Sequence, residues 1–201
     1  MANFVTNIIY IKNKDAEKLK EFKEKIELLK STRSPETENW YDFPVIWQNA
    51  GLKMHTDKNT GNILPPFDPR GTIESLCVEN NCFTIVCETA WSANLSIWKG
   101  LVKKYIPDSS IEYEAFAYDD GDYYTNRKEL AGKYYIEFDR DTPPFVEWAA
   151  APGEVALEAL NKLYNTDLST MEEMMEYVND EEPDNYANIH LWEFVSIDEI
   201  S

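Results

Sequence analysis

Apolar residues at both odd and even positions predict the first strand of the chain, and apolar residues spaced by three to four positions predict the first helix. Residues 3–11 carry an almost continuous apolar run, as in a central strand that is covered on both faces. Between Asp15 and Lys30 apolar residues recur every three or four positions, and charged residues fill the opposite face. The pattern predicts a strand followed by an amphipathic helix with a solvated charged face.

Residues 31–75 lack any sustained periodicity. They contain five prolines and the turn signal Asn59-Thr60-Gly61-Asn62. Their large apolar side chains require cover from water, so the segment cannot behave as a free linker. We expect a long irregular insertion that packs on the sheet.

A hairpin is predicted next, because β-type runs at 74–79 and 82–88 flank the dipeptide Asn80-Asn81. Asparagine tolerates the positive φ angles of a two-residue hairpin turn. Pairing around this turn sets Leu76 opposite Ile85 and so creates one apolar face.

A second helix follows the hairpin and ends before Pro107. Ser92 or Asn94 is expected to cap its first turn. Strands are then predicted at 111–118, 122–126 and 132–139 from their alternating patterns. The buried stripe of this helix is expected to comprise Leu95, Trp98, Leu101, Val102 and Tyr105.

The order of these elements predicts an α+β fold, a ferredoxin-like βαββαβ antiparallel sheet with two helices, over residues 1–140 with the insertion at 31–75. After Pro143-Pro144 the pattern changes to helices at 153–164 and 170–178 and a strand at 188–197. Ser169-Thr170-Met171-Glu172 is interpreted as a capping box. Residues 141–201 are therefore predicted to form an acidic, mostly helical C-terminal extension packed on the first domain.

Two segments carry a resemblance to a known family. They are Ala2-Asn3-Phe4-Val5-Thr6-Asn7 and Thr89-Ala90-Trp91-Ser92, the latter preceded by Phe83 and followed by a helix and Pro107-Asp108. These residues resemble the uncharacterised YubB-like ferredoxin-like family of plasmids, phages and integrated elements, over about residues 1–138. The chain departs from that pattern in having Ala93-Asn94 where prolines are usual. The resemblance implies a ferredoxin-like fold and a mobile-element origin, and it transfers no catalytic residue.

The charge of the chain is concentrated at its C-terminal end. The 201 residues include 37 acidic and 19 basic side chains, and residues 141–201 hold 15 of the acidic ones with Lys162 as their sole cation. Such a surface repels phosphate backbones, so direct nucleic-acid binding is disfavoured. It attracts cationic partners instead. The alternative is that the acidity serves only solubility.

Other classes of protein are excluded by composition. A 13% share of aromatic residues is too high for a disordered acidic tail. No apolar run approaches the ~18–20 residues that cross a bilayer, so no membrane partner is expected. Three cysteines form no disulfide framework, which favours a reducing compartment. We expect a cytoplasmic globular protein.

Few residue patterns point to catalysis or to a cofactor. His55 and His190 belong to no zinc signature, and the glycines form no phosphate-binding loop. Cys87 is predicted to point to the opposite face of the hairpin from Cys77 and Cys82, so the three thiols cannot converge on one metal. The sequence therefore predicts no catalytic residue, no metal and no cofactor.

One acidic turn leaves an alternative open. The turn Asp119-Asp120-Gly121-Asp122 offers oxygens to Ca²⁺ or Mg²⁺, and Asn126 and Glu129 lie beyond it. Its spacing does not fit an EF-hand, and Asp and Gly are also what an ordinary turn requires. A small enzyme that depends on a divalent metal is accordingly one alternative, and a structural accessory protein is another.

The strongest candidate surface lies around the second C-terminal helix. Its stripe of Met171, Met174, Met175 and Val178 is core by default, but methionine also serves adaptable docking faces. Carboxylates surround the stripe, which is the arrangement needed to occupy a basic groove. The predicted partner-binding residues are Met171, Met175, Glu172, Glu173, Glu176, Asp180, Glu181, Glu182 and Asp184.

These observations favour a non-enzymatic interaction protein of a phage or other mobile element. It is expected to dock on, and block, the basic nucleic-acid-binding surface of a host protein such as a CRISPR effector, a restriction enzyme or another defence nuclease. Its carboxylates would stand in for phosphates, so affinity should fall as salt rises.

Overall fold

The computed structural model describes residues 4–34, 41–56, 63–117, 121–138, 148–181 and 187–199, which form an α+β protein. Its internal contacts divide the chain into two compact units. Unit 1 comprises Met1–Asn126 and Val195–Ser201, and unit 2 comprises Arg127–Phe194. This division differs from the predicted boundary at residue 140, because the strand expected at 132–139 belongs to unit 2.

The helices and strands follow in chain order. Unit 1 contains β1 (Phe4–Lys12), α1 (Ala16–Ser31), α2 (Asp42–Asn49), β2 (His55–Thr56), β3 (Ile63–Leu64), β4 (Gly71–Glu79), β5 (Cys82–Ala90), α3 (Ser96–Tyr105), β6 (Ser110–Ala117) and β7 (Asp122–Thr125). Unit 2 contains β8 (Tyr134–Phe138), β9 (Trp148–Ala151), α4 (Gly153–Tyr164), α5 (Met171–Glu181) and β10 (Ala187–Phe194).

The sheet of unit 1 has β1 at its centre. Its strands lie in the order β4-β5-β1-β6-β7, and each neighbouring pair is antiparallel. The predicted hairpin is confirmed, since Leu76 pairs with Ile85. Asn80 and Asn81 form its turn with φ angles of 49° and 62°. Two consecutive positive angles match the right-handed twist of the flanking strands.

Alternate residues of β1 supply the core of unit 1. Val5, Asn7, Ile9 and Ile11 are buried on one face, whereas the intervening side chains are half-buried or exposed. The expected cover on both faces is thus complete on one face and partial on the other, where Thr6, Ile8 and Tyr10 are half-buried. Helix α1 matches its prediction closely, and Asp15 caps it by accepting hydrogen bonds from two backbone N–H groups of the first turn.

Helix α2 lies in the segment that was expected to be irregular. Pro44 lies in the first turn of α2, where backbone N–H groups have no acceptor within the helix. The N–H group that proline lacks is therefore not needed, and this proline does not break the helix. The expected packing on the sheet is confirmed, because Phe43 lies against Gly71 of β4 and belongs to the core cluster that includes residues of β1 and β5. Edge-to-face contacts add to it: the ring centroids of Phe43 and Trp98 are 5.6 Å apart, and those of Trp47 and Phe67 are 5.1 Å apart.

A buried carboxylate joins α1, α2 and β4. Asp42 is 4% exposed. Its oxygens lie 3.0 Å from Lys30 Nζ and 2.7 Å from an Arg33 guanidinium nitrogen. It also accepts the backbone N–H of Ile73 at 2.9 Å, next to the irregularity in β4. A charge with so little solvent depends on these partners.

Replacing Asp42 with Ala should lower the free energy of unfolding by about 3 kcal/mol, because two cations and one N–H group lose their acceptor. Urea denaturation followed by circular dichroism measures this change. Glu24→Ala, at an exposed position of α1, is the control and should change the free energy by less than about 0.5 kcal/mol. Equal effects of the two substitutions would contradict the joining role of Asp42.

The strands of unit 2 pair in the order β10-β8-β9. Helix α4 spans the predicted residues, and α5 extends three residues beyond its predicted end at 178. Asn161 fixes the loop between the two helices, because its side chain bonds both the N–H and the C=O of Leu168. The core of this unit comprises Ile136, Ala151, Ala156, Leu160, Met171, Met174, Val178 and Ile189.

Candidate interaction surfaces

Three carboxylates form a row along the exposed face of α5. Glu172, Glu176 and Asp180 are all exposed and stand four residues apart. Residues at this spacing lie one above another on a helix. With a rise of 1.5 Å per residue the row is about 12 Å long. We call these three residues the acidic row.

The acidic row has no ion-pair partner among the residues that the structure describes. None of its three members takes part in a salt bridge there. Lys162 is the sole cation in the sequence from 148 to 181, and it lies on α4. The charge of the row is therefore presented to solvent uncompensated by these residues.

This placement of charge acts against the stability of α5. Like charges four residues apart destabilise a helix, by about 0.2–0.5 kcal/mol for each pair. Asp180 also lies in the last turn, where the helix dipole disfavours negative charge and α5 has no basic residue, whereas Glu172 lies in the first turn, where the dipole favours it. Solubility alone does not require carboxylates at these positions.

The methionines of α5 lie mostly in the core. Met171 is 5% exposed and Met174 is fully buried, whereas Met175 is half-buried at the edge of the same cluster. The default interpretation of the stripe as core therefore holds for Met171. We remove it from the docking surface, because a partner cannot contact it unless the core opens.

Glu173 also has a role other than the predicted one. Its carboxylate accepts the backbone N–H groups of Ser169 and Thr170 at 2.8 and 3.2 Å, and its own N–H donates to Thr170 Oγ1. The capping box is therefore formed by Thr170 and Glu173, one residue later than predicted. The side chain of Glu181, together with Glu182 and Asp184, lies outside the described residues.

Glu173→Ala should speed amide hydrogen exchange in the first turn of α5 roughly fivefold, since a capping contact is worth about 1 kcal/mol. Glu172→Ala removes the same charge from the same turn without removing a cap. It should change exchange less than twofold, and NMR measures both. Equal protection loss in the two variants would refute the assignment of the cap.

The acidic turn contributes one described carboxylate. Asp122 is exposed and accepts the hydroxyl hydrogen of Tyr124 at 2.8 Å. Asp119 and Asp120 lie outside the described residues. Within the described ranges no group of three histidine, cysteine or acidic side chains could hold a metal ion. The metal-dependent alternative stays a prediction.

The cysteines are arranged as the hairpin register predicted. Cys87 is buried in the core, whereas Cys77 is exposed. Burial raises the pKa of the Cys87 thiol to about 12, against a small opposing effect of a weak contact with the Trp98 indole N–H. A thiol so far from ionisation is a poor nucleophile at neutral pH.

A tight turn after β5 holds an exposed tryptophan in an unusual conformation. Trp91 has a φ of 69°, and the N–H of Ser92 bonds the carbonyl oxygen of Ala90 at 2.9 Å across it. A backbone hydrogen bond between residues i and i+2, with positive φ at the residue between them, defines a strained γ-turn. A bulky residue there is a true conformational outlier. The Trp91 side chain is nevertheless 56% exposed.

Buried polar side chains fix this turn to the sheet. Asn7 Nδ2 donates to Thr89 Oγ1 at 2.8 Å, and Thr89 Oγ1 donates to the carbonyl oxygen of Ser92 at 2.5 Å. Asn7 and Thr89 are each at most 1% exposed. The turn is therefore held from inside the core of unit 1.

The residues expected to cap α3 belong to the same loop. The helix begins after Leu95, so neither Ser92 nor Asn94 caps it. Asn94 instead has a φ of 47° and donates from its side chain to the carbonyl oxygen of Asp68. The capping prediction is wrong because these side chains and carbonyls stabilise the loop.

Sequence reasoning used Thr89-Ala90-Trp91-Ser92 only for a resemblance and missed its geometry. The sole available signal was a large aromatic residue in a connection between a strand and a helix that contains neither glycine nor proline. The residue types of this connection do not indicate a positive φ at Trp91.

Trp91→Gly should give a higher free energy of unfolding than Trp91→Ala, by about 1 kcal/mol. Both variants lose the indole, but only glycine adopts positive φ without strain. At a position with ordinary φ, the alanine variant would have the higher free energy of unfolding. The sign of the difference between the two variants therefore shows whether the backbone at Trp91 is strained. Paired urea titrations measure it, and an alanine variant that is the more stable of the two would disprove it.

Comparison with known proteins identifies no relative of the chain. No protein-family model, curated protein or solved structure matches the chain. None of the helices that the structure describes has both the length and the apolarity needed to cross a membrane.

Proposed function

We propose that this chain is a non-enzymatic interaction protein that binds and blocks a basic, nucleic-acid-binding surface of another protein. The observation that carries the proposal is the acidic row of α5, three exposed carboxylates on one helix face without a described cation beside them. Their like charges one turn apart, and the position of Asp180 in the last turn, cost helix stability, which is expected of residues kept for binding.

The charge density of the row is comparable to that of a nucleic-acid strand. One strand of duplex DNA has a phosphate for about every 3.4 Å of its axis. The roughly 12 Å of the acidic row therefore correspond to three or four phosphates. Three carboxylates over this length can meet lysine and arginine side chains that are spaced for a phosphate backbone.

The rest of unit 2 adds to the same field. Residues 127–194 contain 16 acidic and 5 basic side chains. A negative field of this kind steers a cationic surface during diffusion and raises the association rate, most strongly at low salt. Nucleic acid would be repelled, so the partner is a protein.

The sheet order supports a ferredoxin-like interpretation of unit 1. The strands β4-β5-β1-β6, with α1 and α3 as the connecting helices, follow the βαββαβ arrangement, to which α2 and β7 are additions. With the resemblance to the YubB-like family, this favours an origin in a mobile element. A host defence nuclease is the natural target for such a protein.

Neutralising two members of the acidic row should weaken binding of a basic partner. In the test, the immobilised full chain captures proteins from a bacterial lysate at low salt, and a DNA duplex is then added as competitor. The wild type should retain a nucleic-acid-binding protein that the duplex displaces. Glu176→Gln with Asp180→Asn should reduce its retention roughly three- to tenfold.

The matched control is Glu21→Gln with Glu24→Gln, which removes two exposed charges from α1 and should leave retention within twofold. Equal losses in both double variants would mean that only net charge matters. Recovery of no protein that the duplex displaces would overturn the proposal.

A further inference from the structure

We propose that Trp91, Phe4 and Glu88 form an aromatic and carboxylate site that binds a lysine or arginine side chain of the basic partner. The inference deepens the proposed function and rests on it. It concerns unit 1, and its residues are independent of the acidic row.

The sheet register brings the two aromatic residues together. Phe4 pairs with Ala90 across the ladder between β1 and β5, and Trp91 follows Ala90 directly. The Cα atoms of Phe4 and Trp91 therefore lie within about 9 Å of each other. Phe4 is 54% exposed, close to the value for Trp91. Both side chains are therefore exposed at the same end of the ladder, and the proposal places one ligand side chain between them.

Glu88 supplies a carboxylate on the same face. It pairs with Thr6, which shares its face of the sheet with Phe4. Phe4 and Glu88 are diagonal neighbours, about 7–8 Å apart and within reach of long side chains. Glu88 is exposed and forms no ion pair with any described residue.

The aromatic faces are not used by other described side chains. Neither Phe4 nor Trp91 stacks on a described ring or lies beneath a described lysine or arginine. Arg70, whose carbonyl oxygen accepts the N–H of Ala90, is itself paired with both carboxylate oxygens of Asp68. That guanidinium also holds the pKa of the Asp68 carboxyl below its usual range. Its charge is thus largely compensated.

The strained turn gives the site a fixed shape. Holding Trp91 at positive φ is energetically unfavourable, and such strain clusters at ligand-binding positions. The buried bonds from Asn7 through Thr89 to the carbonyl oxygen of Ser92 maintain it. A backbone held in place before binding loses less conformational entropy on binding.

The combination of groups selects a cation. Tryptophan is the best aromatic acceptor for an ammonium or guanidinium group, and a nearby carboxylate adds charge complementarity. A nucleic-acid base could also stack on these rings, but that mode requires adjacent cations for the phosphates. Here the neighbouring cation, Arg70, is already paired with Asp68, and the exposed Glu88 adds negative charge. The occupant is therefore a basic side chain of a protein.

The test uses the ¹⁵N-labelled full chain and a short peptide with several arginines, with a second peptide in which citrulline replaces each arginine. The indole N–H resonance of Trp91, identified by its loss in Trp91→Phe, should shift saturably with the arginine peptide and not with the citrulline peptide. An unmoved indole resonance, or equal shifts with both peptides, would overturn the inference.

Substitutions separate the ring from the backbone strain. Trp91→Leu keeps an apolar side chain at the strained position and should weaken peptide binding roughly three- to thirtyfold. Trp91→Phe should weaken it less. Glu88→Gln should weaken binding and reduce its salt dependence. The amide spectrum of each variant shows whether it is folded. If Trp91→Leu does not fold, Phe4→Ala replaces it as the test variant. Full binding by Trp91→Leu, or by Phe4→Ala where that variant replaces it, would contradict the proposal.

The two proposals fail in different ways. If Trp91→Leu retains the partner captured from the lysate but Glu176→Gln with Asp180→Asn loses it, the aromatic site is wrong and the acidic row stands. The reverse result would reject the acidic row and keep the aromatic site.

Discussion

The two-sided pairing of β1 is the constraint on which unit 1 depends. This strand bonds β5 along one edge and β6 along the other, so its inner side chains must pack beneath the helices. Asn7 interrupts that apolar face, and a buried amide requires hydrogen-bond partners. It finds one in Thr89, which in turn holds the carbonyl of Ser92. A requirement of the core thereby fixes the conformation of Trp91 at the surface.

Much of the fold follows from local pattern, and the exceptions have physical causes. Strand β1, α1, the turn at Asn80-Asn81 and α4 were predictable because periodicity and turn chemistry agree with the tertiary environment. Helix α2 was missed because Pro44 suggested an irregular chain, although a proline in the first turn is compatible with a helix. Its buried Asp42 finds its partners in α1, the residue Arg33 and β4, which no local pattern reveals.

The candidate sites were predictable to different degrees. The row of Glu172, Glu176 and Asp180 follows from helical spacing and was found, whereas Glu173 was assigned to the surface because capping shifted by one residue. Met171 could be core or interface until its burial was known. The proposed aromatic site was not predicted from the sequence. Phe4 and Trp91 are 87 residues apart in sequence, and only the register between β1 and β5 brings them near each other.

Both surfaces share a physical property that ordinary solvated faces lack. The acidic row places like charges at helical contact distance, and one of them, Asp180, lies at the unfavourable end of the dipole. The turn at Trp91 holds a bulky residue in a conformation suited to glycine. Each opposes local stability, and among the described residues neither Glu176 nor Asp180 forms an ion pair and the exposed indole stacks on no ring. Residues that break local rules without a structural gain are those most expected to gain their stabilisation from a partner. In the proposed function, the carboxylates provide attraction over a distance, and the aromatic ring provides a short-range contact that salt screens less.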